Sequence, residues 1–196
     1  MSEKDVKNLI IESATKYFSK YGFHKTTMEE VAKHIHKAKG VLYYYFKSKE
    51  ELFEAVLKQE LNSVKTELTK IVSKDTDSIM ILKEYTLTRF YFLNKAVNYH
   101  ETLKADFFEK YHFVKDVRDD FAEFERNQIG FILNKGKTEG YFDIKDIESS
   151  VNIYMIIITS LEIPLFLQDK YDEYESTMDE LASVMFNSLR TQKNLK

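Results

Sequence analysis

The sequence predicts an all-α protein, and two observations lead to that prediction. The 196 residues include only 5 Gly and 1 Pro, whereas a β-sandwich or barrel of this length needs many turns. Apolar residues also recur at helical spacing, beginning with Val6, Ile10 and Ala14. Apolar and charged fractions of 43% and 31% are typical of globular chains, so disorder is not indicated. The absence of Cys excludes disulfides and Cys-based zinc sites.

The first two predicted helices have clear boundary signals. Helix one begins near Ser2 and ends at Gly22, where a residue with positive φ commonly closes a helix. Thr27 and Glu30 form a capping box, in which each side chain binds the backbone N–H of the other residue. A second short helix should therefore start after Thr27 and run to about Ile35.

A third helical segment is predicted over residues 37–46, after a break of only a few residues. On a helical wheel, Leu42 and Phe46 point to one side, while Gly40, Tyr43 and Tyr44 point to the other. One face therefore joins the core and the other is presented to solvent or a partner. A second capping box, Ser48 to Glu51, begins a long fourth helix that reaches about residue 72.

Charge is distributed unevenly along the chain. Residues 1–50 carry 10 Lys against 6 acidic residues, a net charge of +4, and residues 51–196 carry 19 basic against 26 acidic residues, a net charge of −7. A basic region attracts a phosphate backbone, although a run of lysines can equally be a solvated face. Three short helices with a tight turn and a basic, tyrosine-bearing third helix predict a helix-turn-helix that binds double-stranded DNA.

The first quarter of the chain also resembles a known family. It carries Gly22-Phe23, Thr26-Thr27, Glu30-Val31-Ala32 and the continuous run from Lys39 to Leu52. In order and spacing these motifs resemble the N-terminal domain of the TetR (tetracycline-repressor) family over residues 5–57. The chain departs from the family in the turn, where Ile35-His36-Lys37-Ala38 replaces a glycine and a small hydroxyl residue. His36 tolerates positive φ better than most residues, so the turn should survive.

Eight residues are candidates for DNA contact. Phenol hydroxyls and ammonium groups suit phosphates, and Lys39 and Gly40 allow close approach to base edges. Burial of the tyrosines between helices is the structural alternative. The candidates are Thr27, Lys37, Lys39, Gly40, Tyr43, Tyr44, Lys47 and Lys49.

The remaining chain carries no sharp motif. Helical periodicity predicts helices over 75–98, a shorter piece over 101–111, one ending near Gly136–Gly140, one over 147–161 that Pro164 bends or ends, and a last helix. These make about nine helices in all. The predicted domains are a helix-turn-helix domain over 1–50 and a second domain over 51–196. The resemblance implies that this second domain is helical, binds a small ligand and pairs two subunits.

Aromatic residues are abundant in the second domain, and a pocket for an apolar or aromatic effector needs such walls with a few polar groups. Packing in a core is the structural alternative for each of them. Arg89 is the candidate partner for a ligand carboxylate. The predicted ligand-binding residues are Arg89, Phe90, Phe107, Tyr111, Phe121, Phe124, Gln128 and Tyr154.

The sequence favours a homodimeric regulator, and the resemblance implies that this regulator is a repressor. The apolar run Ser149–Leu161 stops at Glu162, short of the roughly 20 residues that span a bilayer, so a core helix in a cytoplasmic protein is expected. No cofactor, metal site or enzyme signature is predicted. Two rival hypotheses stay open: a ligand-independent architectural DNA-binding dimer and a helical enzyme.

Overall fold

The computed structural model describes residues 2–104, 107 and 111–187, and it confirms the all-α fold class. We number the α-helices in chain order. They are α1 (Glu3–Lys25), α2 (Met28–His34), α3 (Lys39–Tyr45), α4 (Lys49–Val72), α5 (Ser78–Lys95), α6 (Val97–Glu101), α7 (His112–Thr138), α8 (Ile147–Ser160), α9 (Tyr171–Tyr174) and α10 (Met178–Asn187). A π-helical turn, Ile163–Leu167, follows α8, and a 3₁₀ turn, Glu175–Thr177, precedes α10.

The predicted helix boundaries in the first 50 residues are confirmed. Ser2 caps α1, and Gly22 adopts a φ of 79° near its end. Thr27 and Glu30 form the predicted capping box of α2, with the Thr27 N–H donating to Glu30 Oε2 at 2.9 Å and the Glu30 N–H donating to Thr27 Oγ1 at 3.2 Å. His36 has a φ of 52°, so the turn keeps its shape without glycine. These features are local, and local sequence determines them.

The described residues divide into two compact units. The first comprises Met1–Asn62 and Ala96–Val117, and the second comprises Ser63–Lys95 and Arg118–Lys196. The boundary expected at residue 50 falls within α4, whose first part belongs to the first unit. Residues 96–117 also join the first unit, which the sequence did not predict. Of the shorter piece predicted over 101–111, residues 105, 106 and 108–110 lie outside the described residues.

The first unit has a continuous apolar core. Helices α1, α2 and α3 pack together, and α6 packs on α1. The core side chains include Ile10, Ala14, Phe18, Phe23, Val31, Leu42, Phe53 and Leu57, all at most 1% exposed. Burial of Leu42 and Phe46 holds one face of α3 against this core, so its opposite face is left outside.

The second unit is built around α5, α7 and α8, and α10 packs on α5. Its core includes Leu68, Ile81, Leu82, Phe90, Ile129, Ile132 and Ile158. The segment Ile147–Leu167 is long and apolar enough to cross a membrane by length and mean hydropathy, 1.7, and 39% of it is buried. A single such segment is weak evidence for a membrane span, because a core helix has the same composition. The sequence predicts that Pro164 bends or ends this helix. In the structure α8 ends at Ser160, and Pro164 lies in the π-helical turn that follows.

Candidate functional sites

The exposed face of α3 brings four of the predicted DNA contacts together. Tyr43 is 44% exposed and Tyr44 is 74% exposed, which excludes the alternative that both are buried between helices. The Lys39 ammonium lies 5.7 Å from the centre of the Tyr43 ring. A Cβ added to Gly40 would meet no atom within 4 Å, so the backbone here is open to a close approach. Hydroxyl, ammonium and open backbone therefore share one surface.

Three further candidates are exposed around this face. Lys37 and Lys47 lie before and after α3, and both are exposed. Thr27 is also exposed, but its Oγ1 accepts from the Glu30 N–H and donates to Glu30 Oε2 at 2.7 Å. The Tyr44 hydroxyl donates to Glu3 Oε1 at 3.4 Å, a contact that the sequence did not predict. We call the exposed set Lys37, Lys39, Gly40, Tyr43, Tyr44 and Lys47 the α3 surface.

Lys49, for which a phosphate contact is predicted, makes contacts within the first unit. Its Nζ donates to the Phe23 carbonyl at 2.8 Å and to the His24 carbonyl at 3.4 Å. The same ammonium lies 4.4 Å from the centre of the Phe23 ring. Partial burial lowers the pKa of Lys49. The side chain thus joins the start of α4 to the end of α1, and cations near a helix C-terminus are stabilising.

The second unit contains a buried ion cluster, which we define as Arg89, Glu125 and Glu162. Arg89 Nε donates to Glu125 Oε1 at 2.6 Å and Nη2 donates to Glu125 Oε2 at 3.1 Å. Nη2 also donates to Glu162 Oε1 at 2.5 Å. The three side chains are 1–2% exposed. Burial raises the pKa of the Glu125 carboxyl, while the Arg89 guanidinium opposes that rise.

Two tyrosines lie beside the buried ion cluster. The Tyr154 hydroxyl shares a 2.6 Å hydrogen bond with Thr86 Oγ1. The Tyr85 hydroxyl is fully buried and has no hydrogen-bond partner in the structure. Burial raises the pKa of Tyr85 well above its usual value, and Glu125 and Arg89 are close enough to influence it. A buried hydroxyl without a partner is unusual and costs free energy.

The predicted ligand-binding residues divide between the two units. Phe90 is buried beside Arg89, whose guanidinium is 5.4 Å from the ring centre. Phe121 and Phe124 stack at 6.4 Å. These belong to the second unit with the half-buried Gln128 and with Tyr154.

Phe107 and Tyr111, which are predicted to line the pocket, both belong to the first unit. Phe107 lies 5.2 Å from Phe23 and 5.6 Å from Phe53, and Tyr111 lies 5.1 Å from Phe23. Their aromatic surface is buried against the helix-turn-helix core, since residues 96–117 fold into that unit. These ring contacts favour the structural alternative, a role in packing, for both residues.

Sequence reasoning missed Glu125 and Glu162. Glu125 occupies a position in the apolar stripe of α7 between Phe121 and Ile129, which is the signal that could have identified it. Glu162 is the charge that ends the apolar run of α8. The structure also shows a cavity of about 480 Å³ that these arguments did not predict. Its lining residues are Leu161, Pro164, Leu165, Tyr174, Thr177, Met178, Glu180, Leu181 and Val184.

Comparison with known proteins identifies the first unit. Residues 10–56 match the family model of bacterial regulatory proteins, tetR family. The uncharacterized HTH-type transcriptional regulator YhgD of Bacillus subtilis is 46% identical over 61 residues, which span 31% of this chain and about a third, 32%, of that relative. The HTH-type transcriptional regulator QacR of Staphylococcus aureus is 23% identical over 94% of this chain and 98% of its own length.

Solved structures extend the similarity beyond the first unit. A transcriptional regulator from Cytophaga hutchinsonii is 26% identical, with a TM-score of 0.78 over 94% of this chain and 98% of its own. The family model therefore covers residues 10–56, and the similarity in fold covers nearly the whole chain.

Proposed function

We propose that this chain is a transcriptional regulator of the TetR family, whose model matches residues 10–56, and that it acts as a cytoplasmic homodimeric repressor. Each protomer presents its α3 surface to one half of a palindromic operator. A small effector binds in the second unit and releases the operator. Release requires that the effector bind the DNA-binding conformation of the dimer more weakly than the conformation that does not bind the operator.

The exposed hydroxyls and ammonium groups of the α3 surface carry the proposal for operator binding. In a helix-turn-helix, the recognition helix enters the major groove, where base edges differ in their donor and acceptor patterns. Gly40 allows DNA to approach the backbone closely, because no other atom would lie within 4 Å of a Cβ added there. Tyr43 and Tyr44 offer hydroxyls, and Lys37, Lys39 and Lys47 offer positive charge near phosphates. These groups suit the phosphates and base edges of duplex DNA.

Exposed apolar side chains on α8 and α10 support a homodimer. Ile153 and Ile156 are 59% and 67% exposed, and Val184 on α10 is 66% exposed. Large apolar side chains that are exposed together mark an interaction surface. Pairing α8 and α10 with the same helices of a second copy would form a four-helix bundle with two-fold symmetry. A dimer with two-fold symmetry would match the two halves of a palindromic operator.

The effector proposal rests on the second unit. Arg89, Phe90, Phe121 and Tyr154 lie in this unit and combine aromatic walls with buried polar groups. Binding sites for small molecules commonly have that composition. A small apolar or aromatic molecule with one polar group is the effector that these residues suit.

The test begins with selection of bound duplexes from a random DNA pool, followed by gel shift with the selected sequence. We expect a palindromic site, and sedimentation at about twice the 23.3 kDa protomer mass. Tyr43→Phe should weaken binding to the selected duplex. Tyr91→Phe, which alters a similarly exposed tyrosine on α5, is the matched control and should leave that binding unchanged. Recovery of no preferred sequence, or a monomer at micromolar concentration, would contradict the proposal.

A further inference from the structure

A second polar feature borders the α3 surface, where the first turns of α1 lie beside the end of α3. An open groove of about 790 Å³ lies between these two helices. Its lining residues, which define the α1–α3 groove, are Ser2, Glu3, Lys4, Lys7, Tyr44 and Tyr45. Lys4, Lys7 and Tyr44 are exposed along it. Because Tyr44 belongs to both, the groove is continuous with the α3 surface.

Two contacts cross from α1 to the end of α3. The Lys7 ammonium lies 5.5 Å from the centre of the Phe46 ring, which directly follows α3. The Tyr44 hydroxyl donates to Glu3 Oε1 at 3.4 Å. That distance is long for a hydrogen bond between two oxygens, so the Tyr44 hydroxyl can turn to a stronger acceptor. Both helices belong to the first unit, and a partner seated on α3 therefore also reaches α1.

The groove carries the charge that a phosphate requires. Lys4 and Lys7 contribute two ammonium groups, whereas Glu3 contributes one carboxylate, so positive charge predominates. The neighbouring Asp5 carboxylate is engaged at the start of α1, where the Ser2 N–H donates to Asp5 Oδ2 at 2.7 Å. The lysines, on long and adaptable stems, are therefore the groups that an anion in the groove would meet.

We propose that the α1–α3 groove binds a backbone phosphate of the operator, which Lys4 and Lys7 hold while α3 lies in the major groove. This inference rests on the operator binding proposed above and adds a contact from outside the helix-turn-helix. A phosphate oxygen is a charged acceptor, and it attracts the Tyr44 hydroxyl more strongly than the long contact to Glu3 does. Phosphate contacts fix the orientation of a protein on the duplex and carry no base information.

Glu3 opposes this phosphate contact. Its carboxylate lines the same groove and repels a phosphate placed there. It also competes with the phosphate for the Tyr44 hydroxyl. Glu3 therefore lowers the affinity for DNA of any sequence, and its effect has the opposite sign to that of the two lysines.

The experiment measures binding of the full chain to its selected duplex by fluorescence anisotropy over a series of salt concentrations. Lys4→Gln and Lys7→Gln each remove a charge and keep a long side chain. Losing one phosphate contact reduces the slope of log affinity against log salt by about 0.9, and a dimer carries each substitution twice. For each variant we expect a slope reduced by about 2 and binding about tenfold weaker. The loss should be equal on a scrambled duplex, because phosphates are common to every sequence.

The matched control for the lysines is Lys16→Gln, which removes the same charge from an exposed residue of α1 outside the groove. Lys16 lies about 13 Å further along the helix axis than Lys7, beyond the range of unscreened attraction at physiological salt. Its salt slope should match that of the wild type. Thermal melting of each variant shows whether the fold is intact.

Glu3→Gln tests the opposing charge. It removes the carboxylate and keeps an amide oxygen that Tyr44 can still contact, so binding should become about threefold tighter on the selected and the scrambled duplex alike. Glu12→Gln, which neutralises another exposed residue of α1, should leave affinity unchanged. The proposal is overturned if Lys4→Gln and Lys7→Gln alter the salt slope no more than Lys16→Gln does, or if Glu3→Gln weakens binding.

Failure of this inference can be distinguished from failure of the proposed function. Tyr43→Phe and Lys47→Ala, which alter the α3 surface outside the groove, are measured in the same assay. If these two weaken binding and the groove variants do not, operator binding by α3 stands and the phosphate contact fails. If no duplex is selected, the proposed function fails and the phosphate contact fails with it.

Discussion

The two units place their charged groups in opposite surroundings. The α3 surface keeps lysines and tyrosine hydroxyls in solvent, where each is available to a partner. The second unit encloses Arg89 with Glu125 and Glu162 at 1–2% exposure. A charge in solvent contributes little to folding and much to association, whereas a buried charge contributes to folding through its partners. Substitutions should therefore separate into those that change binding and those that change stability.

The largest expected effect comes from Arg89→Met. Removing the guanidinium takes away the cation that two buried carboxylates share, and such a loss costs about 3–5 kcal/mol of unfolding free energy. Adding Glu125→Gln and Glu162→Gln to Arg89→Met should recover a large part of the lost unfolding free energy, because no buried carboxylate then lacks a cation. Urea unfolding measures both effects.

The matched control for that prediction is Asp120→Asn, which removes the exposed partner of Lys65. Its cost should be about 0–1 kcal/mol, the usual range for a surface ion pair. If Arg89→Met costs no more than Asp120→Asn, the buried ion cluster is not what stabilises the second unit.

Two glycines sharpen the comparison. A Cβ at Gly136 would lie 2.1 Å from Cδ2 of Phe142, so Gly136→Ala should cost about 1–3 kcal/mol of stability through overpacking. A Cβ at Gly40 meets nothing within 4 Å, so Gly40→Ala should fold as well as the wild type. Gly40→Ala should instead weaken operator binding. Equal melting temperatures for the two variants would refute this distinction.

Comparison of Lys49, at the start of α4, with Lys47, just after α3, tests whether Lys49 stabilises the fold or contacts DNA. Lys49→Ala should lower the free energy of unfolding by about 1 kcal/mol, since it loses a hydrogen bond to the Phe23 carbonyl. Lys47→Ala should leave stability unchanged and flatten the salt dependence of operator binding. Chemical denaturation and salt titrations separate the two roles. The opposite assignment, with Lys49 affecting only DNA affinity, would restore the phosphate contact first predicted.

The smallest expected effect is that of Tyr43→Phe. It removes one exposed hydroxyl and should weaken operator binding by about 1 kcal/mol, the scale of one hydrogen bond. The melting temperature should not change, because the ring is 44% exposed. A clear fall in melting temperature with unchanged affinity would show that Tyr43 acts in packing.

Local sequence was sufficient for the first unit's helices and for the α3 surface. The Thr27–Glu30 capping box, the positive φ of His36 and the exposure of Tyr43 all depend on residues within one or two helical turns. These features are therefore visible in a single sequence.

Contacts between distant segments could not be predicted in the same way. Lys49 meets carbonyls 26 and 25 residues away, and Arg89 meets carboxylates 36 and 73 residues away. An aromatic residue such as Phe107 suits either a ligand pocket or a core, so the residue type alone does not distinguish these two roles. Packing is favoured by the folding of residues 96–117 into the first unit, which a single sequence does not reveal.

Hydrogen exchange of the full chain with and without its selected duplex tests the central claim most directly. Because DNA binding covers exposed groups, protection should appear in residues 37–47, which include the exposed Tyr44. Amides around Arg89, already buried, should show no comparable change. The account predicts protection concentrated on the α3 surface. Protection confined to the second unit, with residues 37–47 unchanged, would contradict it.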